Sequence, residues 1–414
     1  MRFIGFLAIL GVFVAATAQA ANFTGPSHGK VVACYGWTSQ LLPYMGTNVR
    51  GDVVAFEDAD LNLCTHIHPF LRAREPWNFT SVMSDEDEEE YKQLIRLKLK
   101  YPHLKIMMMI EFRYIAQYYG NSVQYQACIK NIINFLLRFD FDGLDIIKQE
   151  NYDFKGQTAR HVTTVKDLRK SFQHFNLLLT VTWGIKEGDH NYIALSEYID
   201  YMPVISSTAV YSSTEEAISD LHITNMEKRI NEIISRGFPS SKVVMNLYFY
   251  GYPIHRFGSD SFSGGQPYNQ LCNSNLNDKT SGWERHYHTG ANLVTLQAKN
   301  ENSEIRGVIF HNTRSMANLA RLAIKFGLAG VAVVSINFDD FRGKCGIEED
   351  TFDDFKPTTK FSMDILKRKF PLLRTINEAI TVSLDEIGKE PKPISNPSGC
   401  HPFSNFFCNF LHFC

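Results

Sequence analysis

The chain has 414 residues, of which 44% are hydrophobic and 21% charged, with a formal net charge of −2. This is the composition of an ordinary globular protein, and it makes no electrostatic case for a nucleic-acid partner, which calls for a strongly basic face. The length suits one large domain, or a barrel carrying an insertion.

The first twenty residues, MRFIGFLAILGVFVAATAQA, place Arg2 before an apolar stretch from Phe3 to Ala16 and close on Ala18-Gln19-Ala20. That is the pattern of a secretory signal, residues 1–20, cleaved after Ala20; it is too short and wrongly flanked to remain as a membrane span. No later apolar run approaches the ~20 residues that crossing a bilayer requires. The expected protein is therefore secreted and extracellular, with no membrane span. Cysteines at 34, 64, 128, 272, 345, 400, 408 and 414 are expected to pair in that oxidising compartment, although spacing alone leaves their connectivity open. The sequons Asn22-Phe23-Thr24 and Asn78-Phe79-Thr80 mark Asn22 and Asn78 as glycosylation acceptors.

Eight short apolar runs follow: KVVACYGW (30–37), CTHIHPFL (64–71), KIMMMIEF (105–112), FDGLDII (141–147), LLLTVTW (177–183), YMPVISS (201–207), KVVMNLYFY (242–250) and GVAVVSINF (330–338). Amphipathic stretches such as EEYKQLIRLKLKY and MANLARLAIKFG separate several of them. Continuous rather than alternating apolar strands, joined by helices, predict a parallel sheet, and eight such units predict an α/β fold of the (β/α)₈ barrel type. A doubly wound open sheet is the alternative, but no Gly-rich phosphate fingerprint follows the first strand. The acidic run SDEDEEE (84–90) reads as a helix start, with Ser84 and Asp87 spaced as a capping box and the acids in a first turn where the dipole favours them.

The spacing breaks between the seventh and eighth runs, where residues 252–313 are too long for an ordinary connection and predict a small α+β insertion domain. The barrel is expected over 21–251 and 314–380. A Pro-rich linker, GKEPKPISNPSG, then leads into a cysteine-containing tail, CHPFSNFFCNFLHFC, over 381–414. In the insertion, His286 and His288 alternate like metal ligands on a strand; without a third partner they read as solvated surface, and no metal or cofactor is implied.

The run FDGLDIIKQE (141–150) carries the functional question. A strand period of two places Asp145, Ile147 and Gln149 on one face, with Asp142 on the other parity near the strand start. Active sites of such barrels sit at the C-terminal ends of the strands. A glycosidase needs there a carboxylic acid that protonates the leaving oxygen. Gln149 has the shape of Glu but no titrating proton, so it cannot act as general acid.

FDGLDIIKQE resembles the fourth-strand motif of family 18 glycoside hydrolases, the chitinases, written DxxDxDxE. Asp142, Gly143, Leu144 and Asp145 fit it; Ile147 replaces the third Asp, and Gln149 replaces the proton-donating Glu. The resemblance covers about residues 30–375 and implies two disulfides, Cys34–Cys64 and Cys272–Cys345. Where the family carries Gly-Gly-Trp after its third strand, this chain has Glu111, Phe112 and Arg113. Where it carries Met-Thr-Tyr-Asp after its sixth, this chain has Ile205, Ser206, Ser207 and Thr208, and its eighth-strand Trp aligns with Ser335.

These departures make the chain similar to chitinase-like proteins without chitinase activity, such as the insect imaginal disc growth factors, which also carry Gln at the acid position. The implied function is a secreted growth or immune-type signal that meets a cell-surface protein receptor. A lectin for chitin or N-acetylglucosamine oligomers is the second reading, with Trp37, Trp183, Tyr250 and Glu111 as candidate sugar-groove residues. A weak chitinase using Glu150 as a non-standard acid is the third. The tail weakly resembles the opening of a peritrophin-type chitin-binding module that stops at its third cysteine, which leaves internal pairing, pairing with Cys128 or pairing with another molecule as its alternatives.

Overall fold

The computed structural model describes residues 25–44, 53–71, 84–148, 158–185, 191–206, 221–253, 266–272, 283–299, 305–345 and 368–389. The signal segment, Asn22, Asn78, Gln149, Glu150, Ser207, Thr208 and the three tail cysteines lie outside them.

Eight parallel strands close into a barrel: β1 (Val31–Trp37), β2 (His66–Phe70), β3 (Lys105–Glu111), β4 (Gly143–Lys148), β5 (Leu178–Ile185), β6 (Met202–Ser206), β7 (Val243–Tyr248) and, after a second sheet, β13 (Gly330–Val334). All eight apolar runs of the sequence became barrel strands. They are apolar throughout because both faces are covered, one by the barrel interior and one by helices; all of β7 is buried.

The covering helices are α1 (Asp85–Lys100), α2 (Ser122–Arg138), α3 (Thr158–Phe172), α4 (Ile223–Ser235), α5 (Thr313–Lys325) and α6 (Pro371–Lys389), with shorter turns between. Their starts are capped as the side chains dictate. Ser84 Oγ accepts from the Asp87 amide at 3.1 Å, and Asn121 Oδ1 accepts from the amides of Val123 and Gln124. The acidic run beyond Ser84 is spent on Lys92, Arg138 and Arg96.

Strand edges differ from the sequence reading for local reasons. Phe141 precedes β4 and packs outward against Phe135 and Tyr91. β7 stops at Tyr248, and Tyr250 already pairs in the second sheet. β13 stops at Val334, where the Ser335 side chain accepts from the Asn337 amide and starts a 3₁₀ turn, Ile336–Phe338. Asn337 then clamps the end of β1, accepting from the Trp37 amide at 2.8 Å and donating to its carbonyl at 2.9 Å. Such side-chain to backbone bonds compete with strand continuation. Gly330 is required by close approach, since a Cβ there would lie 1.9 Å from the Val31 carbonyl oxygen.

Between β7 and β13 the chain builds a second, five-stranded sheet from β8 (Tyr250–Pro253), β9 (Gln266–Pro267), β10 (Trp283–His288), β11 (Leu293–Lys299) and β12 (Ile305–Phe310), in the order β10-β11-β12-β8-β9. One of its faces places Leu293, Ile309 and Tyr252 against Tyr248 at the end of β7. The other turns Val294, Leu296 and Phe310 into the main core.

Two disulfides tie this frame. Cys34–Cys64 joins β1 to the approach of β2, and Cys272–Cys345 joins the second-sheet segment to the chain after β13. Cys128 is buried on α2 as a free thiol, and burial pushes it up to about 12. The last helix also corrects the linker boundary: α6 runs on to Lys389, because no helix breaker stands between residue 380 and Pro391 except Gly388. No described helix is long and apolar enough to cross a membrane.

Two buried histidines set a pH response. Burial, aided by His68, holds His66 at about 3, and burial holds His311 at about 4. Below an ordinary value of 6.5 the unfolded chain takes up these protons and the folded chain does not, so stability falls as pH drops from about 6.5 toward 4. Asp339, which burial raises to about 7, acts in the opposite sense across that window, but it is one group against two. Chemical denaturation is expected to show lower stability at pH 4.5 than at pH 6.5, with a shallower decline in His311→Gln.

Candidate functional site

The barrel register decides which side chains reach the interior. On β4, Asp145 is level with Met109 and Thr180, and Ile147 with Glu111 and Thr182, so Asp145 and Ile147 both point inward. Lys148 is level with Trp183.

Asp145 is the centre of a buried polar cluster. It accepts from Tyr35 Oη at 2.9 Å, from Thr180 Oγ1 at 2.8 Å and from Thr182 Oγ1 at 2.8 Å. His68 Nδ1 lies 3.1 Å from its Oδ2, and His68 Nε2 lies 3.2 Å from Tyr201 Oη. Tyr35 stacks on His68 with ring centroids 4.3 Å apart. Burial by itself would raise the Asp145 carboxyl, but the hydrogen bond and charge of His68 and the two threonine hydroxyls outweigh it and hold the group below its usual range. Burial and the nearby Asp145 charge push Tyr35 and Tyr201 well up, so both phenols stay protonated. None of these side chains reaches the cleft; Asp145 and His68 are fully buried.

Asp142 is not part of this cluster. It precedes β4 at the opposite end of the barrel, where it accepts from the Ile106 amide at 2.9 Å and pairs with Lys98 and Lys105 at 2.9 and 3.1 Å. Asp142 falls one residue short of the strand, and its side chain meets lysines at the rim.

Above Asp145, the inward positions nearer the mouth include Ile147, Phe70 and Val334, each half-buried and apolar, while Met109 is level with Asp145. Glu111 stands beside Ile147 and forms an ion pair with Arg113 at 2.7 Å. Trp37 is half-buried at the end of β1, with its ring 4.8 Å from Phe70 and 5.3 Å from Phe338. Tyr250 is half-buried between Tyr248 and Tyr252 and shares a hydroxyl contact of 3.0 Å with Tyr252. Trp183 is corrected: it is 1% exposed on the helix side of β5, edge-on to His161, and does not line the cleft. The same parity that turns Thr182 inward turns Trp183 outward. Ser335 is fully buried, with its hydroxyl engaged by Asn337.

Sequence reasoning missed Tyr35, His68, Thr180, Thr182 and Tyr201. The available signal was period-two polarity, Thr180 and Thr182 in LLLTVTW and His66 and His68 in CTHIHPFL. Among the described residues, Cys272, Asp340 and Cys345 form a group with metal-ligand spacing, but its two sulfurs are spent on the disulfide.

The model of the family Glycosyl hydrolases family 18 matches residues 35–339. "Probable chitinase 2" of Drosophila melanogaster is 29% identical over 91% of this chain and 86% of its own. The crystal structure of Ostrinia furnacalis Group IV chitinase in complex with allosamidin superposes with a TM-score of 0.65 at 22% identity, over 86% of this chain and 99% of that one. Human YKL-39, described as "a pseudo-chitinase with retained chitooligosaccharide binding properties", has a TM-score of 0.62 at 19% identity over 85% of this chain and all of its own.

The two aspartates predict opposite costs. Asp145→Ala leaves several buried donors without an acceptor and is expected to lower unfolding free energy by about 3–5 kcal/mol. Asp142→Ala removes rim ion pairs and one backbone bond and should cost roughly 1 kcal/mol. Denaturant titration of both variants reads the difference.

Proposed function

Because the chain belongs to family 18 of the glycosyl hydrolases, we propose that it is a secreted chitinase-like protein that has lost hydrolysis. In this reading it acts as an extracellular growth or immune-type signal through contact with a cell-surface protein receptor. The observation that carries the loss of hydrolysis is Ile147, an inward, half-buried side chain at the mouth of the barrel, directly above Asp145. Substrate-assisted hydrolysis in this family needs an acid to protonate the leaving oxygen and polar groups to hold the substrate's acetamide. An isoleucine at this point supplies neither, and Gln149, two residues on, has no proton to give. The surviving carboxylate, Asp145, is already shared among Tyr35, His68, Thr180 and Thr182.

Other features favour protein contact over sugar as the main role. Trp183 is withdrawn into the core, Glu111 is paired with Arg113, and the inward mouth positions are apolar. Convergent polar groups, on which sugar recognition depends, are therefore scarce among the described residues. The two disulfides suit a protein that matures in an oxidising compartment.

A second reading, a lectin for chitin or N-acetylglucosamine oligomers, rests on Trp37 and Tyr250, whose half-buried rings remain at strand ends as stacking surfaces. Human YKL-39, with its retained chitooligosaccharide binding, sets the precedent within the fold.

Incubation of the secreted, glycosylated protein with a chitin hexamer is expected to leave the sugar intact, and Gln149→Glu alone is expected to restore no turnover. Cleavage abolished by Glu150→Gln would overturn the proposed loss of hydrolysis. Calorimetric titration with the same hexamer separates the two readings. Absence of saturable binding supports the receptor-directed signal. Saturable binding weakened about tenfold or more by Trp37→Ala or Tyr250→Ala supports the lectin.

A further inference from the structure

The second sheet carries a feature that the barrel does not use. Its outermost described strand, β10, reads Trp283-Glu284-Arg285-His286-Tyr287-His288. The side chains of Arg285 and Tyr287 are held inward by cation–π contacts, with Arg285 5.3 Å from the Phe310 ring and Arg314 4.2 Å from the Tyr287 ring. That fixes the strand's rotation. By the period of two, Glu284, His286 and His288 stand together on the other face, and all three are exposed.

We infer that Glu284, His286 and His288 form an open divalent-metal site, suited to zinc, on the exposed face of β10.

Three observations carry this. First, His286 Nε2 and Glu284 Oε2 lie 3.4 Å apart. Two donors at that spacing, each bonded to one zinc ion at about 2.0–2.2 Å, subtend an angle of about 108°, close to tetrahedral. Second, His288 leans toward the same point. Its Nε2 lies 2.9 Å from Thr295 Oγ1, and Thr295 is the cross-strand neighbour of His286 rather than of His288. The ring is therefore folded back along the strand to the level of His286. Thr295 is then the residue that positions this ligand, as hydrogen-bonded partners of metal-binding histidines do. Third, this face continues into Leu293, Ile309 and Tyr252, which pack on Tyr248 at the barrel mouth. The site thus shares the sheet face that packs on the end of the barrel.

The three donors do not meet at one centre as they stand. A turn of the exposed His288 ring brings its free nitrogen to the Glu284–His286 pair, a motion of ps–ns scale for a surface side chain. Two imidazoles and one carboxylate leave the fourth tetrahedral position open. There zinc takes water, or an oxygen donor from another molecule. His-x-His without a third donor reads as ordinary surface; the carboxylate two residues earlier and the bent-back His288 make the difference.

The test is calorimetric titration of the full-length secreted protein with Zn²⁺, comparing wild type with His286→Ala, His288→Ala, Glu284→Gln and Thr295→Val. All but Thr295 are exposed, and thermal melting in the presence of a chelator checks that each variant folds. The expected result is one equivalent of Zn²⁺ bound by wild type that either His→Ala variant loses or binds at least tenfold more weakly. Glu284→Gln and Thr295→Val are expected to weaken the same equivalent. Equal stoichiometry and affinity in wild type and both His→Ala variants would overturn the site. The readout is metal binding alone, so it stands or falls separately from any sugar or receptor activity.

Discussion

The rest of the structure depends on one buried carboxylate. Asp145 sits inside a closed barrel with no water-facing surface, and a charge in that position is tolerable only if donors surround it. Three strands supply them: Tyr35 from β1, His68 from β2, Thr180 and Thr182 from β5, with Tyr201 just before β6 closing on the far side of His68. The cluster therefore fixes the relative height of strands that are far apart in sequence. A slip of one residue in any of them would turn its donor into the helix layer and leave Asp145 exposed to its own burial cost.

This explains why the family's fourth-strand motif survives in part. Of its four acidic positions, Asp142 anchors the rim through lysines and a backbone amide, and Asp145 organises the interior; both serve folding wherever the chemistry lies. Position 147 has no such duty. It lies at the mouth, level with Glu111 and Thr182, where an acid contributes only to what the cleft binds. Ile147 costs the barrel nothing and extends an apolar rim already formed by Phe70 and Val334. A change of residue at position 147 without loss of fold follows from that division of labour between the layers.

The fold was legible because it rests on properties carried by short segments. Continuous apolar runs named all eight barrel strands, and Ser84 and Asp87 announced the start of α1. The site was legible only where a residue's meaning is set by its own strand, as with Asp145 and Ile147. It was illegible where meaning comes from register between strands. Nothing in LLLTVTW says that Thr182 looks in and Trp183 looks out until β4 is laid beside it, and the aromatic character of Trp183 then pointed the wrong way. The polar partners His68 and Tyr201 stand 77 and 133 places from their contacts, beyond any local pattern.

The second sheet shows the same logic in reverse. In the barrel, Asp145, His68 and the two threonines point inward, where each finds a partner, and Ile147 and Val334 add apolar positions nearer the mouth. In the sheet, the inward face of β10 is closed by cation–π contacts of Arg285 and Arg314, and Glu284, His286 and His288 stand on the opposite, exposed face. Ile147 and Val334 have only dispersion and desolvation to offer a ligand. The two imidazoles and the carboxylate of β10 are donors, acceptors or metal ligands according to their company. Recognition through them is set by residues outside the motif from which the family is recognised.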